Sequence, residues 1–170
     1  MGNGFQNRWN FGQLNKWDKA HLEVAEIYAQ LSSAKRRKVG CVIVKDNRII
    51  SIGYNGMPSG WDNECEYTGN DFFKLDSHSE LTTKPEVLHA ETNAIAKVAK
   101  STESAEGAVL YTTCTPCLEC SKLIYQSGIE RVVYKERYRT EEGLTFLEKC
   151  GILVEDGNTP IMQTNWIMKS

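Results

Sequence analysis

The sequence predicts an α/β fold, a three-layer α/β/α arrangement built on a mixed five-stranded sheet. Two observations carry that expectation. Strand-like and helix-like segments alternate through the second half of the chain, which calls for parallel strands joined by crossover helices on the faces of the sheet. In the first half, two β-rich runs flank Asp46-Asn47, a pair suited to the positive φ angles of a tight hairpin, so part of the sheet is antiparallel.

The elements follow in order. From Trp17 to Leu31 the apolar residues Leu22, Val24, Ala25, Ile27, Tyr28 and Leu31 recur at roughly helical spacing and predict an amphipathic helix. Val39–Lys45 and Arg48–Tyr54 predict the antiparallel ribbon. Gly56 to Pro85 is polar, rich in Gly, Asp, Asn, Ser and Thr, and has no sustained periodicity; a loop of that length is usually functional or locally stapled. Beyond it the pattern predicts a helix over Leu88–Lys100, a strand over Ala108–Thr113, a helix over Cys117–Gln126 closed by Gly128, and a strand over Arg131–Lys135. A helix near Thr140–Lys149, ended by Gly151, and a short strand at Ile152–Glu155 complete the series. With 170 residues the chain is long enough for one core and short for two ordinary domains, so a single domain over 1–170 is expected, with an inserted loop over about 56–87.

Composition narrows the function classes. The chain is 41% hydrophobic and 25% charged with a net charge of -2, an ordinary soluble balance that argues against disorder. Polynucleotide binders usually carry a strong basic excess, so no nucleic-acid partner is expected, although Lys35-Arg36-Arg37-Lys38 forms a local basic patch. No stretch approaches the roughly 18 consecutive apolar residues of a membrane span, and Met1 to Asn10 is unlike a signal peptide. The expectation is therefore no membrane partner and a cytoplasmic location, that of the host if the chain is phage-encoded. Of six cysteines, Cys114, Cys117 and Cys120 are spaced at intervals of three, which in a reducing compartment reads as metal binding or catalysis.

Two segments carry the chemistry, His89-Ala90-Glu91 and Pro116-Cys117-Leu118-Glu119-Cys120, each at the expected start of a helix. The Cys117 and Cys120 spacing puts both sulfurs on one face of a first helical turn, as tetrahedral zinc requires, and a helix N-terminus favours thiolates. Pro116 suits the opening of that helix because its missing N–H has no intrahelical partner to lose. His89 as third protein ligand leaves a fourth position for water, the mark of a catalytic rather than a closed structural zinc. Glu91 then reaches the water rather than the metal and is placed as proton shuttle. A His-x-Glu followed by Pro-Cys-x-x-Cys is a known signature of zinc deaminases. Cys-x-x-Cys alone would also suit a zinc ribbon, a redox dithiol or two buried cysteines. Cys41 and Cys150 read as small buried residues, and Cys114 as a non-ligating neighbour.

These residues resemble the cytidine and deoxycytidylate deaminase superfamily, over about Trp17 to Val154. The likeness to the deoxycytidylate branch rests on His89-Ala90-Glu91-Thr92-Asn93-Ala94, on Thr112 to Ile129 with its Pro-Cys-x-x-Cys, on Val39 to Val44, and on Gly53-Tyr54-Asn55-Gly56-Met57-Pro58-Ser59-Gly60. His78-Ser79-Glu80 ahead of the histidine is similar to the bacteriophage type. The resemblance implies a cytidine deaminase-like fold and hydrolytic deamination of dCMP to dUMP, feeding thymidylate synthesis, by attack of a zinc-activated water on C4 with Glu91 relaying protons. It implies further that the Ala90 N–H holds the pyrimidine O2, that Asn55 binds the sugar, that Asn93 lies near the phosphate, and that Tyr138 stacks on the base. Arg36 and Arg37 of the basic patch are candidate phosphate partners. A homo-hexamer activated by dCTP and inhibited by dTTP, both with Mg2+, is implied as well, with effectors at Tyr54, Asn55, Gly56 and Met57. Phage relatives suggest a second zinc, for which Cys65, His78 and Glu86 are the counterparts, although Ala34 and Glu64 stand where relatives place ligand cysteines. Rival readings are a deaminase of free cytidine or deoxycytidine, one acting on a base within nucleic acid, and a non-catalytic zinc module.

Overall fold

The computed structural model describes residues 14–67 and 81–160. His78, one of the three counterparts for a second zinc, lies outside them, as does the His78-Ser79-Glu80 segment. Helix α1 (Lys16–Ala29) opens on Asn15, whose side chain accepts the Trp17 and Asp18 amides while Asp18 reaches back to the Asn15 N–H, a reciprocal capping box. Strands β1 (Gly40–Lys45) and β2 (Arg48–Tyr54) form the expected hairpin, with Asp46 and Asn47 at φ 48 and 58 in the turn.

The loop after β2 is less irregular than its composition suggests. It contains a two-stranded ribbon, β3 (Glu66–Tyr67) against β4 (Thr82–Thr83), and Ala34, Cys65 and Val87 bury a small satellite core with Met57 packed on it. Then α2 (Ala90–Ala99), β5 (Val109–Cys114), α3 (Leu118–Gln126), β6 (Arg131–Glu136), α4 (Glu142–Lys149) and β7 (Leu153–Asp156) alternate as predicted. The ends differ by one or two residues. Gly128 and Gly151 both stand at φ 80 just past helix ends, the left-handed conformation that glycine adopts without strain.

The five long strands order β2-β1-β5-β6-β7, antiparallel from β2 to β5 and parallel from β5 to β7. Alternate residues divide between two cores. Cys41, Ile43, Leu110 and Val132 pack with Ala90, Ala94, Ile124 and Leu147 of α2, α3 and α4 on one face. Val42, Val44, Val109, Tyr111 and Val133 pack with Leu22 and Ala25 of α1 on the other. This is the predicted mixed five-stranded sheet between helical layers. Among the described residues no helix is long and apolar enough to cross a membrane.

Two glycines set the layer spacing. A Cβ on Gly40 would stand 1.9 Å from the Ala25 carbonyl oxygen of α1, and one on Gly53 would stand 2.0 Å from the Ala90 carbonyl oxygen of α2. The sheet thus meets a helix backbone directly on each face. A buried ionic group ties the α1 face together: Asp18 accepts from Tyr111 Oη (2.7 Å) and Arg131 Nη1 (2.6 Å), and Arg131 Nε donates to Glu155 (2.5 Å). Cys41 is fully buried, as expected; Cys150 is not, because it caps the C-terminus of α4 and is only half-buried.

Candidate active site

β5 and β6 finish, β1 starts and β2 ends at one edge of the sheet, and a cavity of about 620 Å³ opens there. Ligands of open α/β sheets bind in such crevices beyond the carboxyl ends of parallel strands. His89 and Cys117 both reach it from the residue before a helix, in extended backbone (ψ 155 and 169). Each is therefore an N-cap without a side-chain cap bond, which leaves its ring or thiol free to point into the crevice. Pro116 does not open α3: with Cys117 as N-cap it lies one residue outside the helix, where its fixed φ shapes the approach rather than the first turn.

His89 Nδ1 lies 3.3 Å from Cys120 Sγ and 3.5 Å from Cys117 Sγ, and the three donor atoms all fall within 4.8 Å of one another. Zinc bonds of about 2.1 Å to nitrogen and about 2.3 Å to sulfur at tetrahedral angles require N···S separations of about 3.5 Å, so the donor set fits the ion. Hydrogen bonds from Cys120 and His89 draw the Cys117 thiol down to about 3, while the Cys117 hydrogen bond and burial push Cys120 up. Among the described residues this is the one group of three or more such side chains placed to hold a metal. Cys114, at the end of β5, lines the cavity but is not in the group, and burial raises its thiol to about 11.

Glu91, on the first turn of α2 and 3% exposed, lines the same cavity. Burial raises its carboxyl above the usual range, against the lowering effect of its own backbone N–H. Thr112 of β5, fully buried, holds its hydroxyl within hydrogen-bond reach of two acceptors, Glu91 Oε1 (3.3 Å) and the Cys114 carbonyl (3.0 Å), between which its single proton is shared. Sequence reasoning did not single out Thr112, since a threonine in a strand carries no signal until the strand's partner is known.

The other candidates divide. Arg36, Arg37, Asn55 and Tyr138 line the cavity with the metal-facing residues, whereas Asn93 does not: its amide donates to the Tyr54 carbonyl (3.0 Å) and ties α2 to the end of β2. Ala90 is fully buried at the start of α2. Asn55 is largely engaged by the scaffold, Oδ1 accepting from the Val39 N–H (2.7 Å) and Nδ2 donating to the Arg37 carbonyl (2.8 Å). Arg37 meets Glu136 at 2.5 Å and covers the Tyr138 ring at 5.0 Å; Arg36 donates to Thr83 (3.1 Å). Two further arginines, Arg137 and Arg139, line the cavity and were not singled out from the sequence, although they flank Tyr138. Thr115 pins that segment by accepting the Tyr138 N–H (2.9 Å).

The candidate effector residues lie beside the crevice. Gly56 exchanges both backbone hydrogen bonds with Leu88 (3.1 and 2.9 Å), the residue immediately before His89, while Lys97 covers the Tyr54 ring at 5.6 Å. Of the second-zinc counterparts, Cys65 is buried with its sulfur 3.5 Å from Ser33 Oγ, and Glu86 is exposed.

The family model described as the cytidine and deoxycytidylate deaminase zinc-binding region matches residues 15–136. The deoxycytidylate deaminase of Enterobacteria phage T4 is 37% identical over 148 residues, covering 69% of this chain and 76% of its own. That of Mycobacterium phage D29 is 41% identical over 121 residues, covering 69% and 93%. The crystal structure of dCMP deaminase from the cyanophage S-TIM5, in complex with dCMP and dUMP, superposes with a TM-score of 0.74 at 40% identity, covering 85% of this chain and 98% of that one.

Proposed function

The chain belongs to the cytidine and deoxycytidylate deaminase family, and on that premise we infer that it hydrolyses dCMP to dUMP and ammonia. One observation carries the reading. A single cavity joins a zinc-compatible donor set and a buried carboxylate to four arginines, Arg36, Arg37, Arg137 and Arg139. The first pair of features suits attack on an amidine carbon, and the arginines suit a 5′-phosphate. A deaminase of the free nucleoside would leave those arginines without a ligand, and a closed zinc module would need a fourth protein donor and no cavity.

His89, Cys117 and Cys120 would hold zinc, which when bound supplies a water of lowered pKa. Glu91 accepts a proton from the attacking water and delivers it to N3 of the pyrimidine. It then takes the remaining proton from the oxygen now bonded to C4 and passes it to the 4-amino group, which departs as ammonia as the C4 carbonyl forms. Burial raises the Glu91 carboxyl above the usual range, which favours taking up the proton of the attacking water. The N–H of Ala90, the first residue of α2 and so without an intrahelical acceptor, orients the base through O2, and Tyr138 covers the ring face.

Regulation and assembly form part of the same proposal. The Gly56–Leu88 bridge gives the segment Tyr54 to Met57 a direct mechanical link to His89, which supports control of the site by dCTP and dTTP with Mg2+ at that segment. Ile27, Leu31, Leu123 and Tyr125 are large exposed apolar side chains, which supports self-association to a hexamer. The proposed setting is cytoplasmic.

The test is ammonia release from dCMP, deoxycytidine and cytidine by the zinc-loaded protein and by Glu91→Gln. The wild type should prefer dCMP, and the variant should keep its zinc and lose at least 1,000-fold in turnover, as loss of a proton shuttle does at the upper end of general-base effects of about 10²–10⁴. A variant that still turns over dCMP normally would exclude Glu91 from the chemistry.

A further inference from the structure

The loop between β2 and α2 contributes a carboxylate that neither the metal site nor the arginines account for. Glu66, at the start of β3, is 3% exposed and stands in the wall of the cavity that holds His89, Glu91 and Arg36. Its Oε1 accepts two backbone donors, the Lys35 N–H (3.0 Å) and the Arg36 N–H (3.2 Å). Its Oε2 is buried and, among the described residues, has no hydrogen-bond partner. A carboxylate oxygen withdrawn from water without a donor is costly and calls for an explanation.

The ligand supplies one. Resting on the reading of the site as a dCMP cavity, we propose that Glu66 Oε2 accepts the 3′-hydroxyl of the deoxyribose and is a specificity-determining contact of the sugar. The argument is one of elimination among the hydrogen-bond donors of dCMP, which are two, the 4-amino group and the 3′-hydroxyl. The amino group leaves from C4 and must lie at the Glu91 end. The 5′-phosphate is an anion that a carboxylate repels and that the arginines attract. The 3′-hydroxyl is the donor that remains. Asn55 complements the arrangement: with Oδ1 committed to Val39, its amide offers the sugar a donor and no free acceptor. Glu66 thus fills a role that the loop's polar composition concealed.

The experiment compares kcat/KM for dCMP and for 2′,3′-dideoxycytidine 5′-monophosphate in the wild type and in Glu66→Gln. Glutamine keeps the fold-supporting contact, because its carbonyl takes the two backbone N–H groups and its amide nitrogen falls at Oε2. The wild type should prefer dCMP by about 10- to 100-fold, as a charge-assisted hydrogen bond is worth, and the preference should shrink about tenfold in the variant. An equal loss on both substrates, or an unchanged preference, overturns the proposal. Should the variant not fold, the 3′-deoxy-3′-fluoro analogue decides with the wild type alone. Fluorine cannot donate, so this analogue should be turned over no better than the dideoxy compound, and turnover within twofold of dCMP overturns the contact. A wild type inert on dCMP removes the functional reading itself, which separates that failure from failure of the Glu66 contact.

Discussion

Replacing Gly53 with alanine would drive a methyl group into the first turn of α2. The new Cβ would lie 2.0 Å from the Ala90 carbonyl oxygen and 2.7 Å from the Ala94 nitrogen. Both obstacles are backbone, so no rotamer change relieves them. To restore an ordinary contact of 3.4 Å the helix must retreat by about 1.4 Å from the strand, and it carries His89, Ala90 and Glu91 with it. Overpacking of this kind costs about 1–3 kcal/mol in stability. A displacement near 1 Å at reacting groups costs about 100-fold in rate. The expected outcome for Gly53→Ala is a loss of that order in kcat/KM for dCMP, with weaker zinc retention and a urea midpoint lowered to match. Gly40→Ala is the control. Its Cβ would meet the Ala25 carbonyl oxygen at 1.9 Å, so it should destabilise by a similar amount, yet α1 carries none of the site residues. If the two variants lose activity equally, Gly53 does not set the position of the site and the reasoning fails.

Three further outcomes follow from particular contacts. Thr112→Val removes the hydroxyl on Glu91 Oε1 and should lower kcat about tenfold while KM and zinc content hold, with Thr112→Ser restoring the rate; a change confined to KM would contradict a positioning role. Arg37→Ala and Arg139→Ala should each raise KM for dCMP about tenfold and leave deoxycytidine unaffected, whereas equal effects on both substrates would remove them from the phosphate. Asp18→Asn should cost about 3 kcal/mol at neutral pH, the low end for breaking a buried pair, because Arg131 keeps Glu155. Burial opposes ionisation of Asp18, but the bonds from Arg131, Tyr111 and Asn15 win and hold its pKa below the ordinary 3.8. That stabilisation is complete above about pH 4 and is lost as the pH falls through the depressed folded value, so wild type and variant should converge in acid unfolding. A gap that persists undiminished at pH 2 would show that the charge is not its source.

The metal ligands were legible because their geometry is local. Cys117 and Cys120 are one helical turn apart, and His89 and Glu91 flank a helix start whatever the rest of the chain does. The strands were legible because helices cover both faces of the sheet, so β1 and β5 are buried almost throughout and read as short, unbroken β-rich runs. Contacts that depend on the fold were not. Asn93 turns from the cavity because its amide is taken by the end of β2, a partner that no spacing within its own helix reveals. Arg137 and Arg139 face the cavity because Thr115 holds their segment, an attachment between two loops. β3 and β4 are two residues each, too short for a period of two to register against a polar background.

The placement of the three donors has a consequence for how the chain acquires its metal. Cys117 and Cys120 are neighbours in any conformation, so the unfolded polypeptide already offers a two-thiolate chelate. His89 joins them only once β5, which lies between the two motifs in sequence, has been laid into the sheet between β1 and β6. Tight binding is therefore a report that the strand has been inserted. The ion adds stability by mass action according to how much better the folded chain holds it than the bare dithiol does. Refolding with zinc in excess begins from a loop closed at Cys117–Cys120, and refolding under chelation begins from an open one. The two should differ in rate even though they converge on one topology.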